Sequence, residues 1–208
     1  LYFMLGLPTE TDEDVAAIAE LVNKIVYCWR QNATNKKRRL SINLATAFFV
    51  PKPFTPFQWE KQTSPEEYLR RVHLLQSCLT ARGVDYRYHE SDLSRLEAVL
   101  ARGDRRLSKV LLRAHELGCK LDGWDEYFRY DLWMQAFSDC GVDPEFYTTR
   151  GFEEDEILPW QTIDIGVSWD FFLRERALAY QSVTTPDCRT KCAGCGARSL
   201  SERGVCDE

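Results

Sequence analysis

The chain has 208 residues, of which 44% are hydrophobic and 28% are charged, and its formal net charge is -5. This composition is typical of a folded globular protein and excludes global disorder. The negative charge argues against a protein that mainly wraps nucleic acid, although it is compatible with a local basic patch such as Lys36–Arg39, which we expect to mark an exposed turn. No apolar run approaches the roughly 20 residues that cross a bilayer, so we expect neither a membrane span nor a signal peptide.

The cysteines divide into two groups. Four lie singly in or beside helical patterns, where cysteine is usually a small buried hydrophobic residue: Cys28, Cys78, Cys119 and Cys140. The other four crowd together at the end of the chain: Cys188, Cys192, Cys195 and Cys206. This distribution is typical of a local metal site and not of a disulfide framework, and it predicts a reducing, cytoplasmic setting.

The first 50 residues predict a strand, a helix and a parallel strand. Leu1–Leu5 is a continuous apolar run, typical of a strand buried on both faces. Thr11 and Asp14 have the form of a capping box, and apolar residues then recur at helical spacing to about residue 31. Leu40–Val50 is again apolar and favours a strand, so we expect a right-handed βαβ crossover.

Three prolines predict a stiff aromatic loop at 50–59, after the second strand. Ser64 and Pro65 predict the start of a helix, and alternating residues at 84–89 predict a short, half-exposed strand. From residue 91 onward the helical period dominates, with helices expected at 93–100, 107–117 and 131–140 and after Ser168. We expect the aromatic residues of 124–133 in the core. Arg102, Arg105 and Arg106 predict a solvated helix junction, with binding of a phosphate or an acidic partner as the alternative.

Seven segments resemble one subfamily of radical S-adenosylmethionine enzymes, and together they run over nearly the whole chain. LYFMLGLPTETDED at 1–14 resembles the strand and turn in which a GxxxE segment ends a late barrel strand. The others are VPKPFTPFQW at 50–59, YRYHES at 86–91, EAVLARGDRRL at 97–107, DGWDEYF at 122–128, LPWQTID at 158–164 and TTPDC at 184–188. This subfamily carries a cobalamin-binding N-terminal domain and is often linked to a separate C-terminal module.

The resemblance implies an α/β fold with three parts. These are the C-terminal portion of a partial (β/α) barrel at 1–90, a mainly helical extension at 91–182 and a cysteine-rich metal-binding tail at 183–208. It also implies S-adenosylmethionine and a [4Fe-4S] cluster as cofactors, with cobalamin in the full protein. Family members hold the cluster in a CxxxCxxC loop upstream of the region matched by Leu1. We therefore expect this chain to need the N-terminal part of the same enzyme, and to be inactive by itself.

The resemblance implies two groups of ligand contacts. The turn of Gly6, Leu7, Pro8 and Glu10 would lie beside the methionine or ribose part of S-adenosylmethionine, and adenine would lie against Phe49, Val50 and Pro51. Each group has a structural alternative, namely an ordinary strand-to-helix turn and a proline-stiffened loop that packs Phe54, Phe57 and Trp59 on the core. No catalytic residue is assigned, because a histidine such as His89 near a strand end is more often structural.

The cysteine tail predicts a second metal centre. Cys188, Cys192 and Cys195 have the CxxxCxxC spacing of the catalytic cluster but follow a helix at the far end of the chain. With Cys206 as fourth ligand they suit structural zinc or an auxiliary [4Fe-4S] cluster, and free thiols in a flexible tail are the alternative. Another function class also stays open, in which a non-enzymatic helical module with a zinc knuckle binds RNA or protein. The sequence does not determine the substrate, the reaction or the oligomeric state.

Overall fold

The computed structural model describes residues 1–35 and 38–197, and within them it has a three-stranded parallel sheet and six α-helices. The strands are β1 (Tyr2–Leu5), β2 (Ile42–Phe48) and β3 (Val84–Tyr88). The helices are α1 (Asp12–Asn32), α2 (Pro65–Cys78), α3 (Ser91–Arg102), α4 (Leu107–Leu117), α5 (Tyr130–Asp139) and α6 (Trp169–Tyr180), and a 3-10 turn spans Pro144–Phe146. The predicted α/β class and the parallel pairing of the first two strands are confirmed.

Both helices between the strands lie on the same face of the sheet. The strand order is β1-β2-β3, and Leu5, Leu44 and Phe48 form one buried core with residues of α1 and α2. When each new strand is added on the same side of the previous one and every crossover has the same handedness, all connecting helices lie on one face, as in a barrel. A doubly wound sheet instead carries helices on both faces. The arrangement is therefore singly wound over these three strands.

The other face of the sheet is uncovered within the described part of the chain. Tyr2 and Met4 are 62% and 47% exposed, and Asn43 and Arg87 are exposed beside the small residues of β2. Pairing aligns Tyr2 with Ala45 and Ala45 with Arg87, so these side chains share this face. The prediction that β1 is buried on both faces is wrong for the described chain, because helices cover one face alone.

The predicted helix starts are confirmed. Thr11 precedes α1 and forms a complete capping box with Asp14, so two backbone N–H groups at the helix end are satisfied. The Ser64 hydroxyl accepts a hydrogen bond from the Glu67 N–H at α2, and Ser168 caps α6 in the same way. Within residues 1–35 and 38–197, no helix is long and apolar enough to cross a membrane.

The helical extension has a core of its own, formed by α3, α4, α5 and the 3-10 turn. Leu96, Val110, Phe137 and Tyr147 are among its buried residues. The expected burial of the aromatic stretch 124–133 is wrong in part, because Trp124 is 58% exposed and Tyr127 is 50% exposed. They lie in the turn before α5, where no helical face repeats toward the core.

Two single residues differ from the sequence prediction. Cys28 is exposed, because its position on α1 faces away from the sheet. Arg102 is fully buried at the end of α3, not at a solvated junction. Its Nη1 donates to the Glu60 carbonyl at 2.7 Å, and its guanidinium lies 4.3 Å from the centre of the Phe152 ring. Desolvation lowers the pKa of Arg102 to about 10.

Burial of Arg102 leaves polar groups without partners, and this generates a stability prediction. Within the described residues its Nε and Nη2 have no hydrogen-bond partner. Arg102→Met keeps most of the volume and removes these donors, so we expect the free energy of unfolding to stay within about 1 kcal/mol of the parent or to rise. Arg102→Ala leaves a cavity beside Phe152 and should lose about 3 kcal/mol. Urea unfolding of both variants checks this, and equal losses would contradict it.

Candidate functional site

A cleft of about 180 Å³ lies where β1 ends. Its walls come from the turn after β1, from the segment before α2, from α2 and from α6: Gly6, Leu7, Pro8, Glu60, Lys61, Thr63, Arg71 and Tyr180. Ligands of α/β proteins bind beyond the carboxyl ends of parallel strands, and this cleft has that position. The structure thus brings Gly6, Leu7 and Pro8 of the expected ligand set to one cleft.

Gly6 is required by the geometry of the turn. Its φ is +91°, and a Cβ built there would lie 3.0 Å from Cγ2 of Thr63 and 3.3 Å from the Phe48 ring. A side chain at this position would therefore strain the backbone and collide with two neighbours. The turn can pass close to the end of β2 because residue 6 is glycine.

The Glu10 side chain stabilises the same turn. Its Oε2 accepts a hydrogen bond from the Gly6 N–H at 2.8 Å and also pairs with Nη1 of Arg71. Both side chains are largely buried, with 6% of Glu10 and 14% of Arg71 exposed. The Glu10 carboxylate is thus occupied by the protein itself, which makes it a group that shapes the cleft and holds the turn.

An ion-pair network ties this turn to α2. Nε of Arg71 also contacts Glu67 at 2.9 Å, and Arg70 bridges Glu67 and Asp12. Burial alone would lower the pKa of Arg71, but hydrogen bonds to Glu10 and Glu67 raise it above its ordinary value. Hydrogen bonds from Arg70, partly opposed by desolvation, and then those from Arg71 lower the pKa of Glu67 to about 2. Both groups stay charged across the physiological pH range.

The second wall carries groups that sequence reasoning missed. Lys61 is exposed at the cleft and, within the described residues, has no ion pair, whereas Glu60 pairs with Nε of Arg176 at 2.7 Å. Tyr180 comes from the last turn of α6 and packs edge-on against Phe57, with ring centres 6.5 Å apart. The position of Lys61 between a proline-rich loop and a helix cap was the one signal in the sequence. Nothing in the local pattern connects Tyr180 to this cleft.

The second expected contact group, Phe49–Pro51, is adjacent to the turn but buried. The Phe49 N–H donates to the Leu5 carbonyl at 2.8 Å, which continues the pairing of β2 with β1 and brings the two loops together. Gln62 donates to the Phe49 carbonyl at 3.1 Å. The three residues are buried, and none of them lines the cleft, so their expected contact with adenine stays a prediction.

His89 lies at the end of β3 on the uncovered face of the sheet. It is exposed, and its ring meets the Tyr2 ring edge-on with centres 6.1 Å apart. Its backbone is fixed on both sides, since its N–H donates to Thr46 and its carbonyl accepts from the Tyr68 hydroxyl. His89 is therefore a residue of the sheet face and not of the cleft.

The described part of the cysteine tail packs on α6. The Ser168 N–H donates to the Cys195 carbonyl at 2.8 Å, and Arg174 donates to the carbonyl of Ala193. Cys206 lies outside the described residues. Within 1–35 and 38–197, no three cysteine, histidine or acidic side chains are grouped as a metal site would need, so Cys188, Cys192 and Cys195 do not converge there.

Two of these cysteines nevertheless have a feature of metal ligands. The Gly194 N–H donates to Sγ of Cys192, and the Ala197 N–H donates to Sγ of Cys195, each at 3.4 Å. Each bond joins a cysteine sulfur to the backbone two residues further along the chain. Gly194 has a φ of +66°, which permits the tight turn that places its N–H over the sulfur.

The chain is similar to an uncharacterized protein of Methanocaldococcus jannaschii, with 28% identity over 142 residues. The match covers 68% of this chain and 29% of that protein, so the chain spans less than a third of its relative. Because the relative is itself uncharacterized, the likeness assigns no activity. No family model and no solved structure matches the chain.

The buried pair of Glu10 and Arg71 generates a stability prediction for the cleft. Glu10→Ala leaves the Gly6 N–H and part of the Arg71 guanidinium without a partner in a buried site. We expect the free energy of unfolding to fall by about 3 kcal/mol. Glu20→Ala is the matched control, because Glu20 pairs with Lys24 at the surface with both side chains at least 70% exposed. The control should leave the urea midpoint unchanged, and a similar loss in both variants would contradict the role of Glu10.

Proposed function

We propose that this chain is the C-terminal part of a radical S-adenosylmethionine enzyme, in which β1–β3 belong to a partial barrel and the cleft beyond β1 contributes to the S-adenosylmethionine site. The observation that carries the proposal is the sheet. Three parallel strands follow one another in sequence order, both helices lie on one face, and the other face is uncovered within the described residues.

The uncovered face supports the barrel because all-parallel sheets are almost always covered on both sides. In a barrel, the helices cover the outside and the inner face of each strand is enclosed by the other strands. Tyr2, Met4, Ala45 and Arg87 would then line the inside. An open doubly wound sheet would instead need a helix on this face, and the described connections supply none.

The cleft supports a site for part of the cofactor. Its volume of about 180 Å³ suits a portion of a ligand of this size, since whole drug-sized ligands occupy about 300–1,000 Å³. Lys61 is a cation without an ion pair in the described chain and would bind the carboxylate of the methionine part. Gly6 lets the backbone approach the ligand, and Tyr180 closes the side toward the extension. The [4Fe-4S] cluster and S-adenosylmethionine would supply the one-electron chemistry.

On this proposal, the cluster ligands and the cobalamin domain would come from another part of the same protein. The residues present would accordingly bind and orient the cofactor and exclude water from it. Glu10 would act through the turn, because its carboxylate is already bonded to Gly6 and Arg71. This assignment makes Glu10 a positioning residue.

Anaerobic reconstitution of the full-length gene product tests the proposal. With iron, sulfide and a strong reductant, we expect reductive cleavage of S-adenosylmethionine and release of 5'-deoxyadenosine. Lys61→Ala should weaken S-adenosylmethionine binding about tenfold, since a hydrogen bond to a charged group contributes about 1.5–3 kcal/mol. Lys24→Ala is the matched control, because Lys24 is exposed on α1, and this variant should bind S-adenosylmethionine as the parent does. A reconstituted protein without iron and without cleavage would contradict the proposal.

We also propose that the cysteine tail binds zinc or an auxiliary [4Fe-4S] cluster through Cys188, Cys192, Cys195 and Cys206. The support is the spacing together with the two N–H···S bonds to Cys192 and Cys195. The sulfur atoms of the described cysteines would draw together on binding, as in sites whose ligands order around the metal.

Metal analysis of the purified full-length protein tests the tail. Elemental mass spectrometry should show a lower metal content for Cys192→Ser and Cys195→Ser than for the parent. The loss per chain should be one zinc atom, or the iron of one [4Fe-4S] cluster. Cys28→Ser is the control, because Cys28 is exposed on α1 and belongs to no cysteine group. Unchanged metal content in both tail variants would exclude the site.

A further inference from the structure

A second cleft lies at the amino ends of the strands, opposite the candidate cofactor site. It has a volume of about 520 Å³ and is lined by the end of α1 and by the residues that precede β2 and β3: Val26, Trp29, Arg30, Arg38, Arg39, Leu40, Arg82 and Gly83. A second depression of about 340 Å³ shares Val26, Arg30 and Arg82 with it and adds Tyr27. Together they form one groove, named here the basic groove.

The arginines of the basic groove differ from most others in the chain. Arg30, Arg38, Arg39 and Arg82 contact no carboxylate within the described residues, and neither depression is lined by an acidic residue. Most of the other described arginines are paired with a carboxylate, as Arg113 is with Asp139 and Arg150 with Glu156, and Arg102 and Arg105 are the exceptions. In a chain with a formal net charge of -5, four unpaired guanidinium groups around one groove repel one another.

Local structure accounts for one of these charges at most. Arg30 lies in the last turn of α1, where a cation is favourable beside the negative end of the helix dipole. Arg38, Arg39 and Arg82 are on the loops before β2 and β3 and have no such reason to be there. An anion bound in the groove would relieve the repulsion of all four.

The floor of the groove is built for close approach of the two loops. Gly83 has a φ of +87°, and a Cβ there would lie 2.7 Å from the Leu40 carbonyl oxygen. The Ile42 N–H donates to the Gly83 carbonyl at 2.8 Å, which fastens the loop before β3 to the start of β2. The loop that carries Arg82 is thereby held against the loop that carries Arg38 and Arg39.

Aromatic side chains decide which anion suits the groove. Trp29 is half-buried in the groove wall, and Tyr27 is 65% exposed beside it. A guanidinium group binds phosphate through two parallel N–H···O hydrogen bonds, and indole or phenol rings stack on nucleic-acid bases. A ligand with both phosphate and base satisfies both kinds of side chain, and a groove of this volume is large enough for a nucleotide.

We propose that the basic groove binds nucleotides, with phosphates at Arg38, Arg39 and Arg82 and a base against Trp29. The nucleotide comes either from single-stranded RNA or from a free nucleotide. This site is independent of the proposed cofactor cleft, because it lies at the amino ends of the strands and shares no lining residue with that cleft.

Fluorescence anisotropy with a labelled 12-nucleotide single-stranded RNA tests the groove in purified protein. We expect micromolar binding at low salt. If about three phosphates are contacted, the logarithm of the binding constant should fall against the logarithm of salt concentration with a slope of about -2. Arg82→Glu and Arg38→Glu should each weaken binding about tenfold and make this slope shallower. Arg129→Glu is the matched control, since it makes the same charge change on an exposed arginine of the helical extension.

Competition separates the two sources and the two contacts. Displacement of the RNA by ATP at similar concentration identifies a free nucleotide as the ligand, and displacement by longer RNA alone identifies the strand. Trp29→Leu should weaken the RNA complex without changing the salt slope, because it removes a base contact and not a charge. No binding by the parent, or equal losses in Arg82→Glu and Arg129→Glu, would overturn the site. Competition by inorganic pyrophosphate as strong as that of ATP would overturn the base contact.

Discussion

The segment 58–62, buried except for Lys61, is hydrogen-bonded to both the sheet and the helical extension, and the relation between these parts depends on it. Gln62 donates to the Phe49 carbonyl at the end of β2, and its own N–H donates to the Thr148 carbonyl. The Glu60 carbonyl accepts a hydrogen bond from Arg102 of α3, and the Glu60 carboxylate accepts one from Arg176 of α6. The ring of Trp59 packs in the core that includes Phe152 and Phe172. This segment thus joins two helices, α3 and α6, and the loop at Thr148 to the end of β2.

This arrangement explains why the candidate cleft has a wall from the distant end of the chain. Arg176 holds α6 against Glu60, and the last turn of the same helix places Tyr180 beside Lys61 and Gly6. The opposite wall is held by Glu10 and Arg71, which are also largely buried. Two largely buried ion pairs thus lie on the two sides of the cleft. A buried ion pair fixes geometry more surely than it adds stability, and here the geometry is what the cleft needs.

Charge is distributed between the two edges of the sheet in different ways. At the carboxyl ends of the strands, Arg71 and Arg176 form ion pairs within the protein. Lys61 has no ion pair in the described chain and could bind a ligand in the cleft. At the amino ends of the strands, four arginines line the basic groove, and no carboxylate among the described residues lines it. Internal pairs hold the fold, whereas unpaired charges of one sign favour an outside partner. The two clefts therefore suit ligands of different kinds.

The sequence by itself determined the elements whose causes are local. Capping residues such as Thr11 and Ser64, helical periodicity and apolar runs predicted every helix and strand to within a few residues, although the short 3-10 turn at 144–146 was missed. The turn after β1 was also predictable, because Gly6 and Pro8 directly follow an apolar run. Its contact with a ligand was expected from the family resemblance and stays a prediction. Tertiary structure alone decided which side chains are buried and which elements meet. Arg102 is buried, Trp124 is exposed and Tyr180 lines the same cleft as Gly6. Packing joins residues far apart in the chain, and the one-dimensional pattern carries no signal for such contacts.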